Sequence, residues 1–525
     1  MRRRSLLGGA AVIAAGSSLY RPSLAQPAKT LRFVPQANLA NPDPIWTTAT
    51  VATNHGYMVW DTLYGIDDAL QPQPQMCAGQ TVSDDGLTWD FTLREGLKFH
   101  DGQPVRGIDC TTSINRWAQR DAFGSQLRAQ MNEMAPTGDK TFRIRLKTPF
   151  RQMLFALGAT GCFVMPERVA RTPASTMVTD YVGSGPFRFL PNEWDAGNHA
   201  AYAKFEGYVP RQEAPQWFAG GKVAKFDRVE WIVQPDPATA AAALQKNEVD
   251  WIEQPLIDLV GSLKKMQGVD VVSYDKLGVL AMVVINHLYS PFDNPAVVRA
   301  ILAATNQQDC VEAAVGDQTA LGVTPVGFFV DGSPMASKVG LDQLGPAKDL
   351  SAARAAIKAA GYKGEKITFM AASDQPALMA IAQVTQALWG QLGLSVDFQV
   401  SDWGTLVSRR VKQDPPGQGG WNAFCTTWSG LSVSNPGSAF PLQAIGRKGW
   451  LGWYDNPEMT KLREQWFAAA DVPAQQAVCQ HIQLEAFANP PFIPLGQWKQ
   501  PWAYRTSLKS FVRCGNILFW GVERA

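Results

Sequence analysis

The stretch Asp85-Gly86-Leu87-Thr88-Trp89-Asp90-Phe91-Thr92-Leu93-Arg94-Glu95-Gly96-Leu97-Lys98-Phe99-His100-Asp101-Gly102-Gln103-Pro104-Val105 decides how this chain is read. It opens on the turn residues Asp84-Asp85-Gly86, alternates from Trp89 to Leu93, and runs into a second turn at Phe99-His100-Asp101-Gly102. Period-two alternation between turn signals is the pattern of a hairpin or short strand pair. Upstream, Leu31-Arg32-Phe33-Val34 reads as a strand stopped by Asn41-Pro42-Asp43-Pro44. Downstream, residues 107 to 119 read as a helix, 141 to 147 alternate as a strand broken by Pro149, and 153 to 157 begin a helical piece. The first part of the chain is therefore rich in β-structure.

From Asp236 the texture changes to helix and strand in alternation. Residues 238–246 read as a helix, 249–252 as a strand and 255–266 as a helix opened by Pro255. The apolar run 279–285 reads as a strand buried on both faces, and 294–305 as a helix with Pro295 in its first turn. Helices at 350–360 and 376–392 alternate with strands at 367–371 and 394–400. After the Pro- and Gly-rich loop 413–420, expected to be mobile, come helices at 460–470 and 474–488 and a strand at 492–495. Such alternation builds α/β layers with mostly parallel sheets.

Length and composition bound this picture. A chain of 525 residues exceeds one hydrophobic core and implies roughly two to four domains, which allows a ligand cleft between them. With 46% hydrophobic and 18% charged residues, 18 Trp and 25 Phe, the composition is that of a folded protein. A formal charge of +2 gives no basic excess that would point to nucleic acid.

The first 25 residues read as an export signal, with Arg2-Arg3-Arg4, an apolar and small-residue stretch from Leu6 to Leu19, and a cleavage site near Ala25-Gln26. Arg3-Arg4-Ser5-Leu6-Leu7 resembles the twin-arginine type, with a Sec signal as the alternative. No Cys follows the cleavage site, so no lipid anchor is indicated. Removing residues 1–25 takes four arginines and no acid, which leaves 44 Lys+Arg against 46 Asp+Glu, or −2. The body after residue 25 has no apolar run long enough for a membrane-spanning helix and reads as soluble. Seven cysteines, widely spaced and without a Cys-x-x-Cys pair, fit scattered core residues, with at most one bridge left open.

No reaction chemistry assembles from the motifs. The five histidines share no helix face, which leaves no metalloprotease-type site. Ser184 in Gly183-Ser184-Gly185 has Val182 where the hydrolase elbow needs Gly. Ser262-Leu263-Lys264-Lys265 matches Ser-x-x-Lys of penicillin-binding enzymes, but no Lys-Thr-Gly completes it. What stands out is an aromatic concentration at Trp389, Trp403, Trp421, Phe424, Trp428, Trp450 and Trp453. Flat side chains beside small polar residues suit a site that encloses an organic solute.

The stretch 85–105 strongly resembles the signature of bacterial extracellular solute-binding proteins, family 5, which serve peptide and nickel ABC importers. The resemblance continues through Gly183-Ser184-Gly185-Pro186-Phe187, Asn247-Glu248-Val249-Asp250, Pro291-Phe292 with Val298-Arg299-Ala300-Ile301, Ala359-Ala360-Gly361-Tyr362 and Gln391-Leu392-Gly393-Leu394. It implies an α/β fold of the periplasmic-binding-protein-like type II class (cluster C): two α/β lobes joined by a hinge, plus an inserted smaller β-rich domain. The implied division is a discontinuous domain I (26–63, 184–275 and 488–525), the insert (64–183) and domain III (276–487). It also implies a periplasmic, non-enzymatic monomer without cofactor, which traps a peptide-like or other mid-sized solute by cleft closure and delivers it to permease subunits in the inner membrane. His100-Asp101-Gly102 then becomes a structural turn. A penicillin-binding-type serine hydrolase resting on Ser262 and Lys265 is the alternative reading, and nickel or haem carriage shares the fold.

Peptide binders of this family place an Asp three residues after a strand-terminal Trp, to pair with the peptide ammonium. Here the matching Trp is Trp428 and the third residue on is Leu431. Ligand contacts expected from the resemblance and the residues are Asn38, Leu39 and Ala40 on one side and Trp421, Thr426, Thr427, Trp428 and Ser429 on the other. Arg409, beside Arg410, is expected to offer a cation to a ligand carboxylate.

Overall fold

The computed structural model describes residues 30–525 apart from 160, 346 and 347. The expected export signal and its cleavage site lie outside the described residues. Two mixed sheets and one small antiparallel sheet carry the architecture. The first, of seven strands, runs in the order Val269–Val272, Trp502–Arg505, Trp251–Ile252, Thr30–Val34, Arg228–Ile232, His199–Lys204, Phe187–Phe189. Leu31 and Phe33 face inward from its central strand. Phe33 meets Trp231, Trp251 and Phe519 with ring centroids 5.1–5.7 Å apart. Trp231 and Trp251 are therefore core of this lobe.

The stretch 85–105 builds the insert. Thr88–Leu93 pairs with Cys77–Val82 on one side and Thr141–Leu146 on the other, and Met131–Gly138 closes a four-stranded antiparallel sheet. Phe91 lies opposite Phe142 and stacks on it at 4.9 Å, a cross-strand pair of the kind that stabilises a sheet face. His100 is structural: its Nδ1 accepts the Gly183 N–H at 3.1 Å and its Nε2 lies 3.0 Å from the Gly185 carbonyl. Burial pulls its pKa down to about 4, so the ring stays neutral and keeps both bonds. Ser184 Oγ donates to the Val164 carbonyl and accepts the Asp61 N–H. Gly183 crosses the chain so closely that a Cβ there would lie 1.8 Å from the Val59 carbonyl oxygen. The Gly-Ser-Gly motif is a chain crossing, which explains its residues without a nucleophile.

The second sheet has six strands in the order Gly322–Val323, Phe492–Trp498, Val279–Ile285, Ala423–Ser429, Lys366–Ala372, Ser395–Ser401. Val279–Ile285 is buried along nearly its whole length, as its apolar run requires. Three expectations change here. The sheets are mixed and not mostly parallel: in the second, Val279–Ile285 is antiparallel to both neighbours and the parallel pairs are those of Lys366–Ala372, and in the first the parallel pairs are those of Thr30–Val34. An apolar run reports burial on two faces, which helices can provide for strands of either direction. Residues 492–498 pair within this sheet, so the chain rejoins the first lobe at Trp502–Arg505, later than position 488. The helix expected over 255–266 is a 3-10 turn, Ile257–Leu259, followed by the short helix Val260–Leu263.

All seven cysteines are buried and unpaired, including the one bridge left open. No described helix is long and apolar enough to cross a membrane.

Candidate functional site

Both lobes and the insert converge on one cleft of about 440 Å³. The first lobe contributes Gln36, Thr48, Gln254, Gln500 and Asn516, and the insert contributes Trp117, Arg120 and Asp121. From the second lobe come Trp403, Arg410, the strand end Thr426-Thr427-Trp428-Ser429, and Phe440 and Trp450. The lobes touch across it. Gln375 Nε2 donates to the Gln36 carbonyl at 2.6 Å, and Arg410 Nη2 to Thr48 Oγ1 at 3.3 Å. On the insert side, Phe123 packs against Phe467 at 5.4 Å.

An aromatic wall is built around Trp428. Its ring stacks on Phe440 at 5.6 Å and meets Trp450 edge-on at 5.2 Å. Half-buried itself, it leaves an open face toward the cleft. Ser429 Oγ is bonded to Ser432 Oγ at 2.8 Å, and Leu431 occupies the wall three residues beyond Trp428.

The structure separates the expected contacts. Thr426, Thr427, Trp428 and Ser429 come together on the cleft. Asn38 lines an adjoining pocket of about 280 Å³ and accepts the Gly197 N–H. Leu39 and Ala40 are not part of either lining; the Leu39 carbonyl accepts the Trp194 indole N–H. Trp421 is fully buried behind the wall, with its indole N–H donating to the Arg410 carbonyl. Arg409 points away from the cleft and staples the Pro- and Gly-rich loop, donating to the carbonyls of Gly419 and Gly420 and to Gln399 Oε1. Arg410, one position on, faces the cleft. Both sit in the last turn of Trp403–Arg410, capped by Asp402, where cations favour the helix dipole.

Among the described lining residues the charged groups are Arg120, Arg410, Arg447, Lys448 and Asp121. Asp121 accepts the Gly124 N–H as N-cap of the helix Ala122–Gln130. Behind the Gln36 loop, Glu253 accepts from Gln36 N–H and Asn54 Nδ2, and burial pushes its pKa up to about 7. Ser262 is exposed on the short helix Val260–Leu263, its hydroxyl donating to the Leu259 carbonyl at 2.8 Å. No group of three or more His, Cys, Asp or Glu among the described residues is placed to hold a metal ion.

Sequence reasoning missed Gln36, Thr48, Gln375 and Asn516. A signal for two of them existed: Gln36 and Gln375 follow the carboxyl ends of strands Thr30–Val34 and Lys366–Ala372, where open α/β sheets form ligand crevices.

The sequence profile of bacterial extracellular solute-binding proteins, family 5 Middle, matches residues 71–446. The chain belongs to this family. The probable peptide ABC transporter periplasmic-binding protein y4tO of Sinorhizobium fredii is 35% identical over 98% of each chain. The glutathione-binding protein GsiB of Salmonella typhi is 25% identical over 96% of this chain and 95% of its own. The periplasmic binding protein DppA of Helicobacter pylori, solved with the peptide STSA, superposes with a TM-score of 0.79 over 94% of this chain and 98% of its own, at 20% identity. At that identity the last comparison shows the fold alone. This family 5 protein is thus a bacterial extracellular solute-binding protein with the two-lobe α/β fold.

Proposed function

We propose that this protein captures a mid-sized organic solute of peptide-like size in the cleft between its lobes, in the periplasm, and delivers it as a closed monomer to the permease subunits of an ABC importer, leaving the solute unchanged. The observation that carries this reading is the cleft itself. About 440 Å³ suits a solute of modest size, and the walls come from three chain regions whose contacts change with hinge motion. The 35% identical relative named for peptide transport supports a peptide-like solute. The sequence pattern of an export signal in residues 1–25 supports the location. Thr426, Thr427, Trp428 and Ser429 are the proposed contacts of the second lobe, facing Gln36 of the first, with Asn38 in the adjoining pocket. The proposed three-part division is that expected from sequence, with residues 492–498 moved to the second lobe.

The test is small-angle scattering and calorimetry on purified protein, stripped of solute by unfolding and refolding, against a broad library of peptides and organic solutes. Saturable binding with a fall in radius of gyration is expected. Turnover of a bound compound, or no binding and no compaction by any member, overturns the reading.

A further inference from the structure

One charged group on the cleft wall lacks the partner that every rule of burial demands. Arg410 is only 4% exposed, and among the described residues no carboxylate pairs with it. Its Nε has no hydrogen-bond partner. The guanidinium is held by Thr48 Oγ1 from the facing lobe and by the rings of Trp403 and Phe424, at 5.4 and 6.0 Å. Aromatic faces attract a cation but do not neutralise it. Burial without a counter-charge pulls the Arg410 pKa down to about 10.

Other buried arginines show what this arrangement lacks. Arg116 is buried as deeply, yet it forms a two-pronged pair with Asp43 and donates to the carbonyls of Thr172 and Thr176. Arg463 also has no acid and has an unpartnered Nη2, but its Nε donates to the Pro436 carbonyl and it does not line the cleft. Arg410 alone of the three combines a missing acid, an unpartnered N–H and a position on the cavity wall.

We infer that the cleft takes an organic acid without a free ammonium group, its carboxylate seated on Arg410 and its body laid against Trp428 and Trp450. The inference rests on the solute-capture reading above. A carboxylate completes a planar, charge-assisted pair with a guanidinium in a place water has largely left. Arg120, Arg447 and Lys448 surround the same cleft with positive charge, while the wall carries Leu431 three residues after Trp428, and Asp121, the one carboxylate among the described lining residues, caps the helix Ala122–Gln130. A cationic solute finds repulsion there.

The experiment uses solute-stripped full-length protein and matched panels: N-acetyl dipeptides, their C-terminal amides, and the corresponding free-amine dipeptide amides, together with aromatic and aliphatic monocarboxylic acids and their amides. The expected result is binding by acids, with the matched amide weaker by about 100-fold. Arg410→Gln is expected to erase that preference, and Arg410→Lys to keep part of it. The Gln variant is also expected to melt no lower than the parent without solute, since it removes a buried charge that no acid balances. Amides or cationic members binding as tightly as acids overturns the inference and leaves solute capture standing. No binding by any acid at millimolar concentration also overturns it; compaction by a neutral member then separates this failure from failure of solute capture. A solute-free melting point lowered by more than about 4 °C in Arg410→Gln assigns the residue a structural role and overturns the inference as well.

Discussion

Arg116 and Arg410 are buried to almost the same degree, at 2% and 4% exposure, and the molecule treats them in opposite ways. Arg116, from the insert, meets Asp43 of the first lobe, whose two oxygens also accept the N–H groups of Ile45, Trp46 and Val178. Every charge there has an answer in the chain, and the pair ties insert to lobe. Among the described residues, Arg410 is answered only by a hydroxyl and two rings. Glu253 is the mirror case, a buried acid answered only by an amide and a backbone N–H. The difference separates a closed structural network from a wall left open to a solute. A paired buried charge holds a fold together, and an unpaired one on a cavity waits for something the chain does not contain.

The comparison breaks most sharply at Asp43. Asp43→Asn is expected to cost about 3–5 kcal/mol, because it strands the Arg116 charge in the interior; a urea midpoint shift worth less than about 1 kcal/mol ends the claim that this network is structural. Glu253 gives the next largest effect, with a definite sign. Its folded pKa of about 7 lies above the ordinary 4.5, so the folded state keeps a proton that the unfolded chain has lost. Its contribution is fully present below pH 4.5 and fades as the pH rises to about 7, by up to about 3 kcal/mol. His100, whose pKa burial lowers to about 4, titrates in the opposite direction, so the measurement is the difference between parent and Glu253→Gln across that range. A flat difference refutes the assignment.

Trp428→Ala tests the wall beside the open charge. It is expected to weaken binding of any acid taken up by the cleft about 30-fold, or about 2 kcal/mol, by isothermal titration. The smallest effect sharpens the contrast with Asp43. Arg410→Gln is expected to change solute-free stability by less than about 1 kcal/mol in urea titration, against the several lost when the Arg116 network is cut.

Much of the frame was legible from local pattern. The strand Thr88–Leu93, the strand Val279–Ile285 and the helix Pro295–Ala304 with its Asn294 cap all follow from periodicity, caps and turn residues. His100 was legible only through the resemblance, because its ring bonds reach the segment around Gly183, some 80 residues on. Strand direction was not legible: the run 279–285 encodes burial, while its antiparallel pairing with Phe492–Trp498 depends on chain more than 200 residues away. The short turn at 257–263 shows the same limit, since apolar spacing there did not outweigh local 3-10 geometry.

Sequence by itself determined the class of protein and the strand end Thr426-Thr427-Trp428-Ser429, because these rest on neighbours along the chain. It named Arg409 as the ligand contact, whereas Arg410 lines the cleft. Adjacent positions on a helix differ by about 100° of rotation, and only packing sets which of them meets the loop and which meets the cleft. Whether a buried charge is answered is likewise a through-space property. Asp43 and Arg116 are 73 residues apart in the chain and 2.6 Å apart in the fold, while Arg410 finds Thr48 from across 362 residues and, among the described residues, no acid.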